Sequence, residues 1–426
     1  MIEMRYPCIK VLLEHLEPNQ RFELVRRCPD LKFVDRATPL NLRYLSLNNN
    51  RIKINDTSYY VGVIRKFPKG AKVLKRFQTE NEHGLLRDLN KFGGQDYFCN
   101  RVLLPGDIPI EPSVYVTPER TPEQEDLYME RLQRRLTYLK TLKRMKGRQD
   151  EKEQIEAQLY TWRLKKMNEK APYTMYLQYT REDNGEKKVE YLEYNKKVYE
   201  AMKYLNKWLF EGRKYPIRVE TLKVCYLGGV LRLPEAVRFR IQDIHIGSNV
   251  ASIMKSIGPI LEKELAFQHM IIIKGTNFLE NYQDPAVKNS EVVMIVGQET
   301  TGAQFPVVLN QNYHYLMVTK PKMKTEEYLQ LIDKWIREKR EIGTAAVFGI
   351  HSRALVTEIF KEIKEKPGVT VEKIRHRFTC TRFPYKYSIP VDNTKGIFVQ
   401  CSRAEHYDSE TQSCEPWKLW INVVET

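Results

Sequence analysis

The chain has 426 residues, 42% of them hydrophobic and 11% aromatic, which gives enough apolar surface for two or three folded domains. Its charged fraction of 29% is typical of a folded protein and excludes a disordered chain. The formal net charge of +16 favours attraction to nucleic acid, anionic membranes or acidic proteins, but it does not distinguish among these partners.

The lack of a recognisable targeting signal and the scattered cysteines predict an intracellular protein. The opening stretch has only a short apolar run, interrupted by Glu14 and His15, so neither a signal peptide nor a membrane helix is predicted there. No later stretch approaches the roughly 20 apolar residues that span a bilayer. The seven cysteines are scattered and form no C-x-x-C pair, which predicts reduced thiols. We expect a cytoplasmic or nuclear protein with no membrane partner.

The first predicted elements are two short helices and a β-hairpin. Four aliphatic residues share one face of the first helix: Ile9, Leu12, Leu13 and Leu16. A second helix follows Pro18. The alternating RIKI at 51–54, followed by Asn55-Asp56, predicts a hairpin. Residues 74–113 contain several glycines and prolines, and no element is predicted there.

A charged helical hairpin is predicted from residue 121. Thr121 supplies a capping side chain, Pro122 suits the first helical position, and Gln124 completes a capping box. Apolar residues then recur at helical spacing on both sides of a glycine: Met129, Leu132, Leu136, Leu139, Ile155, Leu159 and Trp162. We therefore predict two amphipathic helices joined near Gly147.

The same hairpin contains a run of eight basic residues without a carboxylate: Arg131, Arg134, Arg135, Lys140, Lys143, Arg144, Lys146 and Arg148. One interpretation is a solvated helix face, balanced by acidic residues in the returning helix. The other is a patch for nucleic acid or an acidic partner. Only Tyr138 and Trp162 are aromatic there, which argues against stacking on RNA bases.

Beyond this hairpin the sequence predicts a second β-hairpin and a series of helix-strand units. The Asn184-Gly185 pair inside Tyr173 to Tyr194 suits a tight I′ turn. Helices with Trp208 and Trp335 are each followed by a strand, and we expect both rings to be core anchors. Irregular helix-strand repeats about 20 to 30 residues apart resemble a leucine-rich-repeat solenoid, so we predict an α/β fold of this kind.

From Arg375 onward we predict a terminal β cap with strands at RHRFTC, GIFVQC and KLWINVV. This segment also holds the one grouping of metal-ligand residue types: His376, Cys380, Cys401, His406 and Cys414. Zinc sites usually present ligands in pairs two to four residues apart, and only His376 with Cys380 comes near that spacing. No metal site is therefore predicted.

Catalytic and cofactor motifs are missing from the sequence. It contains no P-loop, no H-E-x-x-H, no G-x-S-x-G, and no G-x-G-x-x-G after a predicted strand. We therefore expect a binding protein that is not an enzyme and uses no cofactor.

The N-terminal segment resembles an F-box, a small helical module. Five residues are spaced like its proline, aliphatic and cysteine positions: Pro7, Leu12, Leu16, Leu24 and Cys28. Leu31 and Phe33 stand where an F-box usually closes with a tryptophan. The following RCPDLKFVDRATPLNLRYLSL and KINDTSYYVGVIRKFP resemble the front block of nematode F-box C proteins. DKWI followed by AAVFGI is similar to the F-box-associated regions of these proteins.

This resemblance implies a substrate receptor of a cullin-type ubiquitin ligase, which binds a Skp-type adaptor through those five residues and an unknown protein substrate elsewhere. Four regions are expected: F-box-like helices plus a β-hairpin at 1–116, the charged helical hairpin at 117–171, the helix-strand repeats at 172–374 and the β cap at 375–426. The alternative is a basic binding protein associated with nucleic acid or chromatin.

Overall fold

The computed structural model divides the chain into two units that both combine helices with β-sheet. It describes residues 6–96, 99, 102–110, 120–142, 146–224, 229–247, 249–262, 267–273, 283–300, 309, 313–374, 383–403 and 417–426. Unit 1 comprises residues 1–218 and 226–239, and unit 2 comprises residues 219–225 and 240–426. The predicted α/β class is confirmed. Of the helices described, none has the length and apolar character needed to cross a membrane.

The described strands of unit 1 are β1 (Asn41–Leu47), β2 (Arg51–Ile54), β3 (Thr57–Lys66), β4 (Ile108–Ile110), β5 (Thr174–Asp183), β6 (Glu186–Glu193) and β8 (Gly229–Leu231). They form an antiparallel sheet in the order β1-β2-β3-β5-β6 and a separate β4-β8 pair. Both predicted hairpins are confirmed. Asn55, Asn184 and Gly185 have the positive φ angles that tight two-residue turns require.

β2 is short, and a loop segment covers the part of β3 that extends beyond it. The Val63 N–H donates to the Leu85 carbonyl at 2.8 Å, and the Leu85 N–H donates back to the Val63 carbonyl at 2.9 Å. This bridge brings the backbone of Gly84 against Gly62. A Cβ placed on Gly62 would lie 2.9 Å from the Gly84 carbonyl carbon, so the close approach requires glycine.

The described helices of unit 1 are α1 (Tyr6–His15), α2 (Pro18–Arg27), α3 (Lys32–Arg36), α4 (Lys75–His83), α5 (Pro122–Thr141), α6 (Lys146–Met167) and α7 (Val198–Phe210), with a 3₁₀ turn at Pro29–Leu31. α4 lies in the stretch for which no element was predicted. It is mostly polar and buries only Phe77, so it has no apolar period that the sequence could reveal.

α5 and α6 confirm the predicted helical hairpin. The Thr121 hydroxyl accepts from the Gln124 N–H, and the Gln124 side chain accepts from the Thr121 N–H, which completes the capping box. The predicted seam forms a small core in which Met129, Leu139, Ile155 and Leu159 are buried. Gly147 lies in the first turn of α6 and not between the helices.

Strands that are neighbours in sequence are also neighbours in the central part of the unit 2 sheet. β9 (Phe239–Gly247), β10 (His269–Ile273), β11 (Val292–Thr300), β12 (Tyr315–Pro321) and β13 (Ala345–Ile350) pair in this order, and every pair is parallel. β7 (Ile217–Val224) precedes them in the chain and lies beside β9. The described helices of unit 2 are α8 (Val250–Ile257), α9 (Pro285–Lys288), α10 (Thr325–Glu338) and α11 (Arg353–Lys364), with a 3₁₀ turn at Gly258–Ile260.

An antiparallel group completes the unit 2 sheet. It consists of β14 (Thr370–Lys373), β15 (Tyr385–Pro390), β16 (Lys395–Arg403) and β17 (Trp417–Glu425), and β17 pairs with β13. The predicted strands at GIFVQC and KLWINVV are confirmed. The candidate at RHRFTC lies outside the described residues.

The two tryptophans expected as core anchors differ in their surroundings. Trp335 on α10 is almost completely buried in unit 2, as predicted. Trp208 on α7 is only half-buried in unit 1, where its ring lies 6.0 Å from the Phe22 ring. Leu205 and Leu209 are buried on that helix. Trp208 was predicted to be a core anchor, but its ring is partly exposed.

Candidate protein-binding surfaces

The residues predicted to bind an adaptor lie on or beside the first two helices. Pro7 and Leu12 are exposed on α1, and Leu16 just after it is half-buried. Leu24 is half-buried on α2, and Cys28, which ends that helix, is exposed. A partner would therefore reach Pro7, Leu12 and Cys28, whereas Leu16 and Leu24 are turned partly into the fold.

Two additional apolar side chains on these short helices are exposed. Val11 on α1 is 56% exposed and Phe33 on α3 is 76% exposed, compared with 42% for Leu12. α1 packs against α3, so the three residues lie on neighbouring helices. We call Val11, Leu12 and Phe33 the exposed apolar set. Burying each against a partner would contribute about 1.5 to 3 kcal/mol.

The short helices are held together by the buried guanidinium of Arg21. Its Nε donates to the Asp35 carboxylate at 2.5 Å. The two terminal nitrogens donate to four backbone carbonyls, those of Leu13, Asp35, Thr38 and Pro39. A guanidinium has five N–H groups, and all five are used here. Arg21 therefore joins the end of α1, the helix α2, the helix α3 and the start of β1 in one network.

A second buried guanidinium shares the same carboxylate. Arg213 donates to the other oxygen of Asp35 at 3.1 Å. Burial lowers the pKa of Arg213 to about 10, although the Asp35 carboxylate acts in the opposite direction. Two buried cations thus depend on one buried anion. Removal of that anion would leave both charges uncompensated.

A separate buried ion cluster fixes the loop that precedes β4. The Asp107 carboxylate is completely buried and accepts from Lys203 on α7 at 2.7 Å and from Arg232 at 2.6 Å. Lys203 also donates to the Pro105 and Leu233 carbonyls. The Lys203 ammonium thus uses all three of its N–H groups on acceptors of the fold, and we interpret the cluster as a structural connection.

The predicted basic patch is only partly balanced by acidic neighbours. Arg135 donates two hydrogen bonds to Glu151, at 2.8 and 3.0 Å, and Arg134 lies 3.6 Å from Glu130. The side chains of Arg131, Lys140 and Arg148 are exposed. Three of the eight predicted residues, Lys143, Arg144 and the side chain of Lys146, lie outside the described part of the chain.

A cleft of about 890 Å³ lies between α4, the loop after it and the α5–α6 hairpin. Its walls include Arg87 and Arg120 as well as Glu80 and Glu125. Arg120 stacks over the Tyr128 ring at 3.7 Å. Charges of both signs are therefore mixed, and the cleft has no clear preference for an anionic or a cationic ligand.

The predicted grouping of metal-ligand types is only partly visible. Cys401 is buried in β16, where it behaves as a small core residue. His376, Cys380, His406 and Cys414 lie outside the described residues. Among the described residues there is no group of three or more histidine, cysteine, aspartate and glutamate side chains arranged to hold a metal ion.

Comparison with known protein families gives a match over part of the chain. Residues 197–352 match the model of a family described as a domain of unknown function (DUF3557). The matched segment begins one residue before α7 and ends just after β13, so it contains residues of both units. No curated protein and no solved structure matches the chain.

Proposed function

We propose that the chain is a non-catalytic protein-binding adaptor, and that its N-terminal helices recruit a Skp-type adaptor of a cullin ubiquitin ligase. The observation that carries the proposal is the exposure of Val11, Leu12 and Phe33 on short helices held by the buried network of Arg21. Apolar side chains displayed on a defined frame are typical of docking surfaces.

The Arg21 network supports the proposal because it would reduce the entropic cost of binding. Helices of five to ten residues are not stable by themselves in water. Once the guanidinium joins them, fewer side chains and backbone angles remain to be ordered when a partner docks. The exposed positions of Pro7 and Cys28 are compatible with the F-box-like spacing of the sequence.

Binding of a purified Skp-type adaptor to the full chain tests the proposal. Phe33→Asp should weaken the complex about tenfold or more, because it replaces an apolar contact with a charge that must be desolvated. Phe33 is largely exposed, so the fold should tolerate the change. Tyr204→Asp is the matched control, since Tyr204 is a 66% exposed aromatic residue on α7 of the same unit.

Two results would contradict the proposal. One is a wild-type chain that captures no adaptor in reconstitution. The other is a Phe33→Asp variant that binds as tightly as the wild type and the Tyr204→Asp control. Leu16→Asp is less informative, because Leu16 is half-buried and its replacement also perturbs the fold.

For the rest of the chain we propose a substrate-binding region built as an irregular solenoid of the leucine-rich-repeat kind. The parallel pairing of β9 to β13 in chain order supports this, as do the described helices α8, α9 and α10, each of which lies between two successive strands of this group. Solenoids present extended surfaces that suit protein partners. The substrate would be a protein, and we propose that it is met in the cytoplasm or nucleus.

A second candidate function is binding to nucleic acid or chromatin through the α5–α6 hairpin. The exposure of Arg131, Lys140 and Arg148 on this hairpin favours it. Replacing all three with glutamine should then reduce the salt dependence of binding to a generic duplex by a slope of about three. Binding to the duplex that does not change with salt concentration, or with these substitutions, would exclude this function.

A further inference from the structure

The outer edge of β6 has backbone groups available for a further strand. β6 is the last strand in its sheet, and within the part of the chain that the structure describes no second strand pairs with it. All eight of its side chains are exposed, including Val189 (38%), Tyr191 (60%) and Leu192 (54%). A long exposed edge that carries apolar residues is a template for pairing with another strand.

The tight turn determines which backbone groups of β6 are available. Asn184 and Gly185 both have positive φ angles, as in an I′ turn, so the flanking pair Asp183 and Glu186 is hydrogen-bonded. Hydrogen-bonded and non-hydrogen-bonded pairs alternate along the ladder from that point. The residues of β6 whose backbone groups bond to β5 are therefore Glu186, Lys188, Glu190 and Leu192. The N–H and C=O groups of the intervening residues point outward: Lys187, Val189, Tyr191 and Glu193.

We propose that two copies of this chain associate by antiparallel pairing of their β6 edges, with Val189 at the two-fold axis. In this register the outward groups of Val189 bond to those of its own symmetry mate, as an isologous contact requires. Lys188 of each copy lies opposite Glu190 of the other, which gives two complementary charge pairs. Lys187 lies opposite Tyr191, where an ammonium group can approach an aromatic ring.

Charge separates this register from its neighbours. Only registers that pair outward-facing groups with each other can form the ladder, and these are centred on a single residue. A centre at Lys188 sets two lysines together and places Glu186 opposite Glu190. A centre at Glu190 sets two glutamates directly opposite. Like charges in facing positions are destabilising, so the register centred on Val189 is preferred to these two. A centre at Tyr191 sets no two charged residues opposite each other, so it lacks the two complementary charge pairs.

Sedimentation equilibrium of the full chain tests the pairing. We expect a concentration-dependent dimer, and Lys188→Glu should weaken it roughly tenfold because both complementary pairs become repulsive. Adding Glu190→Lys to that variant should restore the dimer, since the charges are then exchanged and again opposite. Glu190 also lies 3.7 Å from Arg26, but this pair is exposed and contributes little.

Val189→Pro provides an independent test. It removes an outward N–H without removing a hydrogen bond to β5, so the hairpin should stay folded by circular dichroism while the dimer is lost. A wild-type chain that remains monomeric at its highest soluble concentration would overturn the proposal, even if it captured an extended peptide. A dimer unaffected by Lys188→Glu, or one that the double exchange fails to restore, would also overturn it. Phe33→Asp should leave the dimer intact, so its outcome is separate from adaptor binding.

Discussion

The N-terminal helices α1 to α3 and the α5–α6 hairpin belong to the same unit, but different interactions hold them together. α1 to α3 are joined by a buried polar network in which Arg21 makes five hydrogen bonds. The hairpin has its own apolar core and a capping box at its start. The first region therefore depends on partners distant in sequence, and the second depends mainly on local signals.

A buried polar network can keep short helices in a defined arrangement. A helix of about ten residues buries too little apolar surface to offset its ordering entropy. One fully satisfied guanidinium adds direction to the packing, because each N–H group has a single acceptor. Such a network is sensitive to the loss of any one partner, because the remaining charge is then buried in a site from which water is excluded.

Removing the shared carboxylate is the strongest way to test this contrast. Asp35→Ala leaves Arg21 and Arg213 buried without their anion, and should destabilise unit 1 by about 3 to 5 kcal/mol. Denaturant unfolding would measure the loss, and hydrogen exchange should locate it in α1 to α3.

Asp56→Ala is the matched control for this variant. The ion pair of Asp56 with Arg43 is 3.0 Å long but exposed, so its loss should cost no more than about 1 kcal/mol. Equal losses of unfolding free energy in the two variants would show that the buried network stabilises the fold no more than an exposed ion pair does.

A smaller and more local loss is expected in the hairpin. Leu159→Ala removes a buried side chain from its core and should cost about 2 to 4 kcal/mol. Hydrogen exchange should accelerate in α6 while α2 keeps its protection, because the core is confined to the hairpin. Leu127→Ala, at an exposed position of α5, is the control with little expected effect. Uniform loosening of unit 1 would show that the hairpin is part of its main core.

The smallest expected effect concerns Glu23 on α2. Two hydrogen bonds from Arg26, with a further one from Arg27, lower the pKa of Glu23 from 4.5 to about 2. A carboxyl group with a lowered pKa stabilises the fold fully above its ordinary pKa and loses this contribution as the pH falls through the lowered value. The melting temperature of the wild type should therefore approach that of Glu23→Gln between about pH 4.5 and pH 2. A difference between the two melting temperatures that stays constant across this pH range would exclude a contribution of Glu23 ionisation to stability.

Local signals in the sequence predicted the local parts of this fold. The Asn184-Gly185 turn, the capping box at Thr121 and the apolar seam of the helical hairpin all involve residues close in the chain. Each is stabilised by backbone angles or by contacts at helical spacing, so a single sequence is enough to reveal it.

The interactions that join distant segments could not be predicted in this way. Arg21 and Asp35 are 14 residues apart, and Arg213 joins them from a position 178 residues beyond Asp35. Nothing in the pattern of charges shows that these side chains would be buried, because lysine and arginine are usually exposed. Periodicity placed Leu12 and Leu13 on one face of α1, yet only Leu13 is buried. The exposed apolar set became visible only when the helices were placed together.

The contact between Gly62 and Gly84 has a consequence for the evolutionary freedom of the chain. Strand positions usually accept several residue types, since their side chains leave the sheet on one face or the other. At position 62 the bridge between Val63 and Leu85 places a backbone where a methyl group would have to sit. In a library of single variants even alanine should therefore be depleted at this position, and sequences that diverge widely around it should keep glycine there.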